Sequence, residues 1–473
     1  MRRLIRRKGG AGGYLRIQNR SNKRVEFKVV EKDNVDDMGM DQIQGVMEPG
    51  SHLPAEGTQP FEDEDGNADP DMVYCYIEGN VRNRLQKNGF MLLNAIVEGA
   101  SPSCLKLIVN HNSWRMEDTS PDQNSPVILV ADVSEEDGMW KIELRIYNHY
   151  NTKRWMAQLE SSIKDLPLTQ VGIPGTHDSG TYCFDREKGA SPDSDLTTMI
   201  QSKLPGRLLG AVSNVILDQV FGRLCQCQDK SIKQQLEMGI RYLDLRVAFH
   251  AESGQYYTCH GVYCADMVDV MKQITDFLNA NPKELVILDF NHMYQMDGHH
   301  KKFLKMVFDA LGDKAANQNI KGGLSVDSKV QRFWNHGFQA IVFYQFYDQV
   351  KDDFGGKVWP MWRIVSPWPE SASTDDLYTK LGGNVQNRLS QHMDKLFVVQ
   401  GILTPDVELI KRGLSDGDGL SIKGYARRAN PRVIDWCEDD WMKLGKRCLN
   451  IVIVDFYDGC SMVPALLNYN RKD

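Results

Sequence analysis

Residues 172–181 read GIPGTHDSGT, and this stretch decides how the second half of the chain is interpreted. An apolar run, Leu168 to Pro174, leads into it, and two glycines and a proline then impose a tight course on the backbone. That course places the imidazole of His177 beside the carboxyl group of Asp178. We therefore predict a strand whose carboxyl end carries a site, as in α/β barrels.

A second run of similar design is RYLDLR, residues 241–246. Side chains two residues apart on a strand lie on one face, so Asp244 and Arg246 are predicted to point the same way. His260 follows in the segment YTCHG. Two histidines, an arginine and carboxylates are the groups required for phosphoryl chemistry, because one imidazole takes a proton, the other donates one, and arginine offsets phosphate charge. Taken singly, each histidine is more often a structural hydrogen-bonding residue, and Asp244 with Arg246 could form a simple ion pair.

Beyond residue 151, short strand-like runs alternate with longer segments of helical spacing. Helices are predicted at residues 267–279 and 301–311, among others. The predicted strands are Leu168 to Pro174, Ile240 to Val247, Leu285 to Phe290, Ala340 to Phe346, Trp362 to Val365, Leu396 to Gly401, and Asn450 to Phe456. This alternation favours an α/β fold of the (β/α) TIM-barrel type over residues 160–473, distorted and either complete or short of one unit.

Residues 14–150 have a different pattern of apolar and polar residues. Their apolar runs are short, rich in β-branched residues and separated by turn residues, and stretches such as VEFKVV and KIELRIYN alternate apolar with polar. This period of two predicts an all-β sandwich domain.

Residues 1–13 form a basic tail, since the first 25 residues hold nine basic residues and no acidic one. Such a tail either contacts anionic lipid or is a solvated terminus.

The interval from Glu31 to Asp71 is strongly acidic, with thirteen carboxylates against one lysine. A calcium-binding loop is one interpretation, because hard cations need several oxygen ligands. An acidic surface loop is the interpretation we favour, because no 12-residue ligand loop is present.

Composition excludes several classes of protein. The 473 residues carry a formal net charge of -7, which argues against nucleic acid as a partner. No run approaches the ~18 apolar residues of a membrane span, and no apolar signal core is present, so a cytoplasmic protein is predicted. Ten cysteines are too sparse for a disulfide framework and are expected to be free thiols in a reducing compartment.

The segments GTHDS (175–179), GIRYLDLR (239–246) and HG (260–261) resemble the catalytic X domain of phosphatidylinositol-specific phospholipase C. The resemblance runs from about Pro167 to Pro464. This part of the chain is similar in particular to the eukaryotic X-domain-containing proteins that lack the other modules of the large signalling enzymes. The segments that carry this similarity are PKELVILDF (282–290), the tryptophan-rich residues 359–368, QGILTP (400–405) and NIVIVDF (450–456). Residues 1–150 are not covered.

The resemblance implies cleavage of phosphatidylinositol to diacylglycerol and a 1,2-cyclic inositol phosphate. His177 resembles the general base that takes the proton of the inositol 2-hydroxyl, and His260 resembles the general acid that protonates the leaving oxygen. Arg246 would offset the charge of the phosphate.

The resemblance also assigns partners to these groups. Asp178 would pair with His260, Asp455 with His177, and Asp244 would orient Arg246. The calcium-dependent animal enzymes carry carboxylates at both inward positions of the second strand, whereas Arg246 stands at one of them here. An arginine supplies in a fixed fork the charge that a cation would bring, so a metal-independent site without a cofactor is predicted.

Substrate recognition is less clearly encoded. Asn291, Gln345 and Arg363 lie near predicted strand ends and could bind inositol hydroxyls, although a structural role is equally compatible with each. Trp359, Trp362 and Trp368 could insert at a lipid interface. Packing in the core is the alternative, and we favour it for Trp362.

The predicted partner is therefore phosphatidylinositol or a related inositol lipid, met through peripheral membrane contact. Two alternatives remain: hydrolysis of glycerophosphodiesters or sphingophospholipids on a barrel of the same class, and a non-catalytic lipid-binding or scaffolding protein. Residues 17–21 and 49–51 faintly resemble the β-sandwich modules of membrane-active lysins, so residues 14–150 either target a membrane or simply pack as a further domain.

Overall fold

The computed structural model describes residues 12–33, 36–38, 44–53, 61–62, 68–69, 73–76, 89–110, 113–122, 124–136, 139–193, 221–404, 421–445 and 447–471. Two compact units are present. The first comprises residues 1–150 with 459–468, and the second comprises residues 151–458 with 469–473.

The first unit is a β-sandwich. Its larger sheet has six strands and its smaller sheet five, and the pairing is antiparallel except where Gly12–Asn19 runs parallel to Met139–Asn148. The first sheet contains Gly12–Asn19, Asp36–Met38, His52–Leu53, Val73–Tyr76, Val127–Glu136 and Met139–Asn148. The second contains Val25–Asp33, Gly45–Met47, Gly89–Ile96, Ser103–Asn110 and Ser113–Asp118, and a separate ribbon pairs Phe61–Glu62 with Ala68–Asp69.

Alternating side chains build the sandwich core. Strand Gly89–Ile96 buries every second residue, as a half-buried strand does. Leu15 and Ile17 of one sheet join Phe27 and Leu93 of the other in a single buried apolar cluster. The expected all-β sandwich is thus present in this part of the chain.

The second unit contains a parallel sheet of eight strands that curls into a barrel. We number these strands in chain order as β1 (Ile173–Thr176), β2 (Tyr242–His250), β3 (Val286–Tyr294), β4 (Ala340–Tyr344), β5 (Val358–Trp359), β6 (Ile364–Val365), β7 (Leu396–Gln400) and β8 (Ile451–Val454). Their order in the sheet is β5-β4-β3-β2-β1-β8-β7-β6, and every pair in this path is parallel. Among the described residues no ladder joins β5 to β6, so the barrel is open there. An antiparallel hairpin, Gln255–Cys259 and Tyr263–Asp266, extends from β2.

Helices precede β1, lie between most of the successive strands and follow β8. The α-helices of the described chain are Trp155–Gln158, Glu160–Ile163, Ile232–Glu237, Met267–Ala280, His300–Leu311, Val330–Asn335, Tyr347–Val350, Thr374–Gln391, Ile422–Asp435 and Met462–Tyr469. Helix Met267–Ala280 shows why they form. Asp266 caps its first turn by accepting a hydrogen bond from the Val268 N–H at 2.7 Å. Its buried residues recur at helical spacing, from Met267 and Val270 to Ile274.

The predicted barrel is confirmed, with corrections to its elements. The first predicted strand is only Ile173–Thr176, because Leu168–Gln170 forms a 3-10 turn. The fifth predicted strand, Trp362 to Val365, is shortened in the same way to β6, since Met361–Arg363 is a 3-10 turn. An eighth strand, β5, escaped prediction because two residues carry no periodicity.

Some expectations concern residues that the structure does not describe. These include most of the basic tail and most of the acidic interval 31–71, including Asp63 to Asp65. None of the described helices has the length and apolar character needed to span a membrane. Seven of the cysteines whose side chains the structure describes are free thiols, namely Cys104, Cys183, Cys225, Cys227, Cys259, Cys264 and Cys448.

Candidate active site

The loop after β1 brings His177 and Asp178 to the carboxyl end of the barrel sheet. The His177 N–H donates to the carbonyl of Val454 on β8, and Ser179 N–H donates to the carbonyl of Asp244 on β2. Asp178 has φ = 41°, a left-handed conformation that aspartate tolerates better than most residues. Gly180 follows where the side chain of Thr258 leaves no room for a Cβ atom. The tight course inferred from sequence is therefore a consequence of close packing on both neighbouring strands.

His177 is buried and held from both ring nitrogens. Its Nδ1 lies 2.8 Å from Oδ1 of Asp455, just past the end of β8. Its Nε2 lies 3.2 Å from Nη2 of Arg246. Asp455 only accepts hydrogen bonds when ionised, so Nδ1 carries a proton and Nε2 is the nitrogen directed at reacting groups.

Arg246 forms an ion pair with the carboxylate of Asp178. The guanidinium Nε lies 2.6 Å from Asp178 Oδ1, an ion pair in which the carboxylate is fully buried. The charge of Asp244 also raises the pKa of Arg246, and the role predicted for Asp244, orienting Arg246, stays a prediction. Asp244 accepts hydrogen bonds from the Asp178 N–H at 3.1 Å and from Asn291 Nδ2 at 2.6 Å. It thereby fixes the loop on which both His177 and Asp178 stand.

His260 lies between the two strands of the hairpin, with 22% of its side chain exposed. Its Nδ1 lies 2.9 Å from the carbonyl oxygen of Cys225. A carbonyl only accepts, so Nδ1 carries a hydrogen and Nε2 is left to accept or release a proton. That Nε2 lies 3.8 Å from Asp178 Oδ2, which is an ion-pair separation.

The two histidines face one another across a single carboxylate oxygen. Oδ2 of Asp178 lies 3.5 Å from Nε2 of His177 and 3.8 Å from Nε2 of His260. The ring centroids are 6.5 Å apart and nearly perpendicular. With Arg246 beside them, the arrangement provides two proton-carrying nitrogens and a fixed positive charge around one small volume.

Electrostatics reinforces this geometry. Burial opposes protonation of His177, but the charges of Asp178 and Asp455 outweigh it and raise the pKa of His177 to about 9. Burial likewise opposes ionisation of Asp178, and the Arg246 charge outweighs it, so the pKa of Asp178 is lowered. Burial lowers the pKa of Arg246, but the charge of Asp178 raises it by more, so the pKa of Arg246 is raised overall. Asp178 and Arg246 are therefore a charged pair at neutral pH.

The residues predicted to bind substrate are placed differently from one another. Trp368 stacks on His177, with ring centroids 5.8 Å apart, and is 44% exposed. Asn291 touches Asp244, as above. The Gln345 Oε1 accepts from the Met293 N–H at 2.8 Å, so that side chain ties β4 to β3. Arg363 ends the 3-10 turn before β6. No contact in the described part of the chain links Gln345 or Arg363 to either histidine.

The neighbouring tryptophans correct one expectation. Trp359 is fully buried, and its Nε1–H donates to the Ala316 carbonyl at 3.0 Å. Trp362 is 56% exposed and stacks edge-on against Tyr347 at 5.0 Å, so the core position favoured for it is wrong. Trp362 lies in the 3-10 turn Met361–Arg363, and such a turn has no simple inward face, which is why the sequence pattern misassigned this residue.

Three groups of side chains in this region have spacing suited to a metal ion. They are His177 with Cys227 and Asp455, Asp178 with Cys227 and His260, and His177 with Asp178 and Asp244. The guanidinium of Arg246 lies against two members of the third group. It supplies there the positive charge that a cation would otherwise bring.

Sequence reasoning missed several supporting groups. Gln228 donates from Nε2 to the carbonyls of His177 at 2.9 Å and Val454 at 3.1 Å, and Asn430 donates to the carbonyl of Asp455 at 2.7 Å. The Cys225 carbonyl and the Cys227 thiol contact His260. Nothing in their local sequence marks them, because they act through contacts made between distant segments.

Comparison with known proteins shows which family this chain is similar to. The model of the phosphatidylinositol-specific phospholipase C X domain matches residues 213–331. PI-PLC X domain-containing protein 2 of Mus musculus is 30% identical over 322 residues, covering 67% of this chain and 87% of that protein. Its Homo sapiens counterpart is 33% identical over 269 residues, covering 56% and 81%. The chain belongs to the PI-PLC X domain-containing proteins.

Within this X domain, the matched residues 213–331 include Asp244, Arg246 and His260, whereas His177 precedes them. A solved structure, phosphatidylinositol-specific phospholipase C from Listeria monocytogenes, is similar with a TM-score of 0.47 and 19% identity, covering 68% of this chain and 100% of that one. The geometry of the site rests on the distances and contacts within this chain.

Proposed function

We propose that this X domain is a phosphodiesterase that cleaves phosphatidylinositol or a related inositol lipid to diacylglycerol and a 1,2-cyclic inositol phosphate. The observation that carries the proposal is the pair of Nε2 atoms, from His177 and His260, within 4 Å of the same Asp178 oxygen. Family membership supports the substrate class, because the relatives are named for the X domain of an inositol lipid phospholipase.

In the proposed reaction the neutral form of His177 is the general base, and this is the minor form at neutral pH because the pKa of His177 is about 9. Its Nε2 takes the proton of the inositol 2-hydroxyl, whose oxygen then attacks phosphorus. Asp455 holds the ring through Nδ1 at 2.8 Å and stabilises the imidazolium that forms. The cyclic phosphate keeps the phosphorus four-coordinate after the leaving oxygen departs.

His260 is the general acid. In its charged form it donates the Nε2 proton to the diacylglycerol oxygen as the bond to phosphorus breaks. The Cys225 carbonyl fixes its ring, and Oδ2 of Asp178 lies 3.8 Å from its Nε2. The guanidinium of Arg246 stabilises the charge that grows on the phosphate oxygens.

We further propose that the reaction is independent of a metal ion. Arg246 already pairs with Asp178 at 2.6 Å and reaches His177, so the phosphate meets a permanent cation without one. Its planar fork suits two phosphate oxygens at once.

We infer that the protein works at the surface of a membrane in a reducing compartment. Trp362 and Trp368 are exposed, and amphipathic indole rings favour the lipid interface. The free thiols of the described residues suit a cytoplasmic setting. Residues 14–150 are proposed to act as a membrane-targeting domain, and the basic residues 1–13 as its contact with anionic lipid.

The direct test is incubation of the full chain with vesicles containing phosphatidylinositol, followed by phosphorus NMR for cyclic inositol phosphate. His177→Ala and His260→Ala should each lower turnover by at least ~100-fold, because each removes one proton carrier. His336→Ala is the matched control, since that histidine is exposed and remote from the site. Vesicle binding without any product would instead indicate a non-catalytic lipid-binding protein, and product from glycerophosphodiesters alone would indicate the other barrel activity.

A further inference from the structure

The thiol of Cys227 lies inside the candidate active site, although the proposed reaction gives it no role. Its Sγ is buried, 3.6 Å from Nδ1 of His260 and 3.9 Å from Oδ2 of Asp178. The backbone around it is anchored, because its N–H donates to Thr181 Oγ1 at 3.2 Å and its carbonyl accepts from the Phe456 N–H at 2.8 Å. The sulfur is therefore held in place between an imidazole and a carboxylate.

Sulfur, imidazole nitrogen and carboxylate oxygen are the ligand atoms that zinc prefers. At zinc bond lengths of about 2.0–2.3 Å, tetrahedral ligand atoms lie about 3.3–3.6 Å from one another. Nδ1 of His260 is bonded to the Cys225 carbonyl, so Nε2 is the nitrogen that would bind an ion. This Nε2 lies 3.8 Å from Asp178 Oδ2, which lies 3.9 Å from Sγ of Cys227, and one ligand atom from each of the three residues lies within 4.8 Å of the others. Binding therefore requires the three side chains to move inward around the ion.

The surroundings favour this trio over the two other possible groups. Both nitrogens of His177 are engaged, by Asp455 and by the cationic Arg246. Arg246 contacts Oδ1 of Asp178 and leaves Oδ2 turned toward His260. The Cys225 carbonyl holds the His260 ring in the way that outer hydrogen bonds orient metal-binding histidines.

We propose that Asp178, Cys227 and His260 form a binding site for a thiophilic divalent cation of the zinc class, and that its occupation inhibits the enzyme. The thiol releases its proton to solvent when the ion binds, and water completes the coordination. Inhibition rests on the proposed function: a metal-bound His260 no longer donates a proton, and Asp178 is withdrawn from both histidines.

Binding is tested first, without reference to turnover. The full chain is titrated with Co²⁺ to follow the thiolate-to-cobalt absorption band, and with Zn²⁺ by equilibrium dialysis. Cys227→Ser should remove the band and weaken zinc binding at least ~10-fold. Cys264→Ser is the matched control, because that thiol is also buried but hydrogen-bonds the Val262 carbonyl and packs among apolar side chains, away from His260 and Asp178 in its described contacts. Equal zinc affinities in wild type and Cys227→Ser would overturn the site.

Inhibition is tested second, with each protein compared with its own metal-free rate on phosphatidylinositol vesicles. Zn²⁺ should inhibit wild type and Cys264→Ser at concentrations at least ~10-fold below those needed for Cys227→Ser. Mg²⁺ and Ca²⁺ should not compete, because hard cations avoid thiolate ligands. Faster turnover with Zn²⁺ would overturn the inhibitory role. A Cys227-dependent cobalt band in a protein with no turnover would support the site and contradict the proposed function.

Discussion

Nε of Arg246 lies 2.6 Å from Oδ1 of Asp178, while the other oxygen of that carboxylate faces both histidines. One carboxylate thus links the fixed cation to the two proton carriers. Because the pair is buried, its charges are weakly screened and neither partner is easily replaced.

Replacement of Arg246 by lysine should lower turnover by about 100- to 1,000-fold, because lysine keeps the charge but loses the fork that suits a phosphate. The measurement is the initial rate on phosphatidylinositol vesicles in the presence of a chelator. Arg332→Lys, on the separate helix Val330–Asn335, should leave the rate unchanged. Wild-type activity that disappears in chelator would contradict metal independence.

The protonation of His177 should be shifted to high pH. Because Asp178 and Asp455 raise its pKa to about 9, its ring resonances in an NMR titration of the free protein should change near that pH. Asp455→Asn removes one negative charge and should lower the midpoint. A wild-type midpoint at or below the ordinary value of about 6.5 would count against the assigned electrostatics.

The same shift has a consequence for stability. A group whose pKa is higher in the folded than in the unfolded state stabilises the fold fully below its unfolded pKa, here about 6.5. This contribution, at most about 3 kcal/mol, is lost as pH rises to about 9. Urea unfolding of wild type and His177→Asn should therefore show a stability difference that changes in favour of the variant between these pH values. A constant difference would refute the linkage.

Gly180→Ala should disturb the catalytic loop. A Cβ at this position would lie 2.6 Å from Oγ1 of Thr258, with other atoms of that side chain also in conflict, so the loop or the hairpin must move. We expect a loss of about 1–3 kcal/mol in stability and a larger relative loss of turnover. Gly222→Ala is the control, since a Cβ there meets nothing within 4 Å. Equal behaviour of the two variants would show that the loop tolerates displacement.

The barrel is also held by a buried ion pair away from the site. Arg241 donates to Glu284 Oε2 from Nε at 2.9 Å and from Nη2 at 2.7 Å, and both side chains are fully buried. Glu284→Ala leaves that guanidinium charge uncompensated and should cost about 3–5 kcal/mol, measured from the urea midpoint. Asp276→Ala, which breaks the exposed pair with Lys272, should leave the midpoint unchanged. A small effect of Glu284→Ala would mean that water replaces the lost carboxylate.

Several features could be predicted because they depend on short stretches of chain. The apolar runs before His177 and after Arg241 identify β1 and β2, and strand periodicity places Asp244 and Arg246 on the same side. The two-residue strand β5 could not be found in this way, because its ladder with β4 is set by the fold. Likewise, exposure of Trp362 and burial of Trp359 depend on a turn whose direction the sequence does not state.

The amino-acid sequence by itself determined the α/β alternation, the β-sandwich that precedes it, and the residue types at the strand ends, because strand and helix periods are local properties of the chain. Only the tertiary structure decided that Asp178 is shared between His177 and His260, that Arg246 pairs with it, and that Cys227 joins the cluster. Those distances join different strands and loops. They are set by how the barrel packs its neighbouring segments, and no spacing along the chain encodes them.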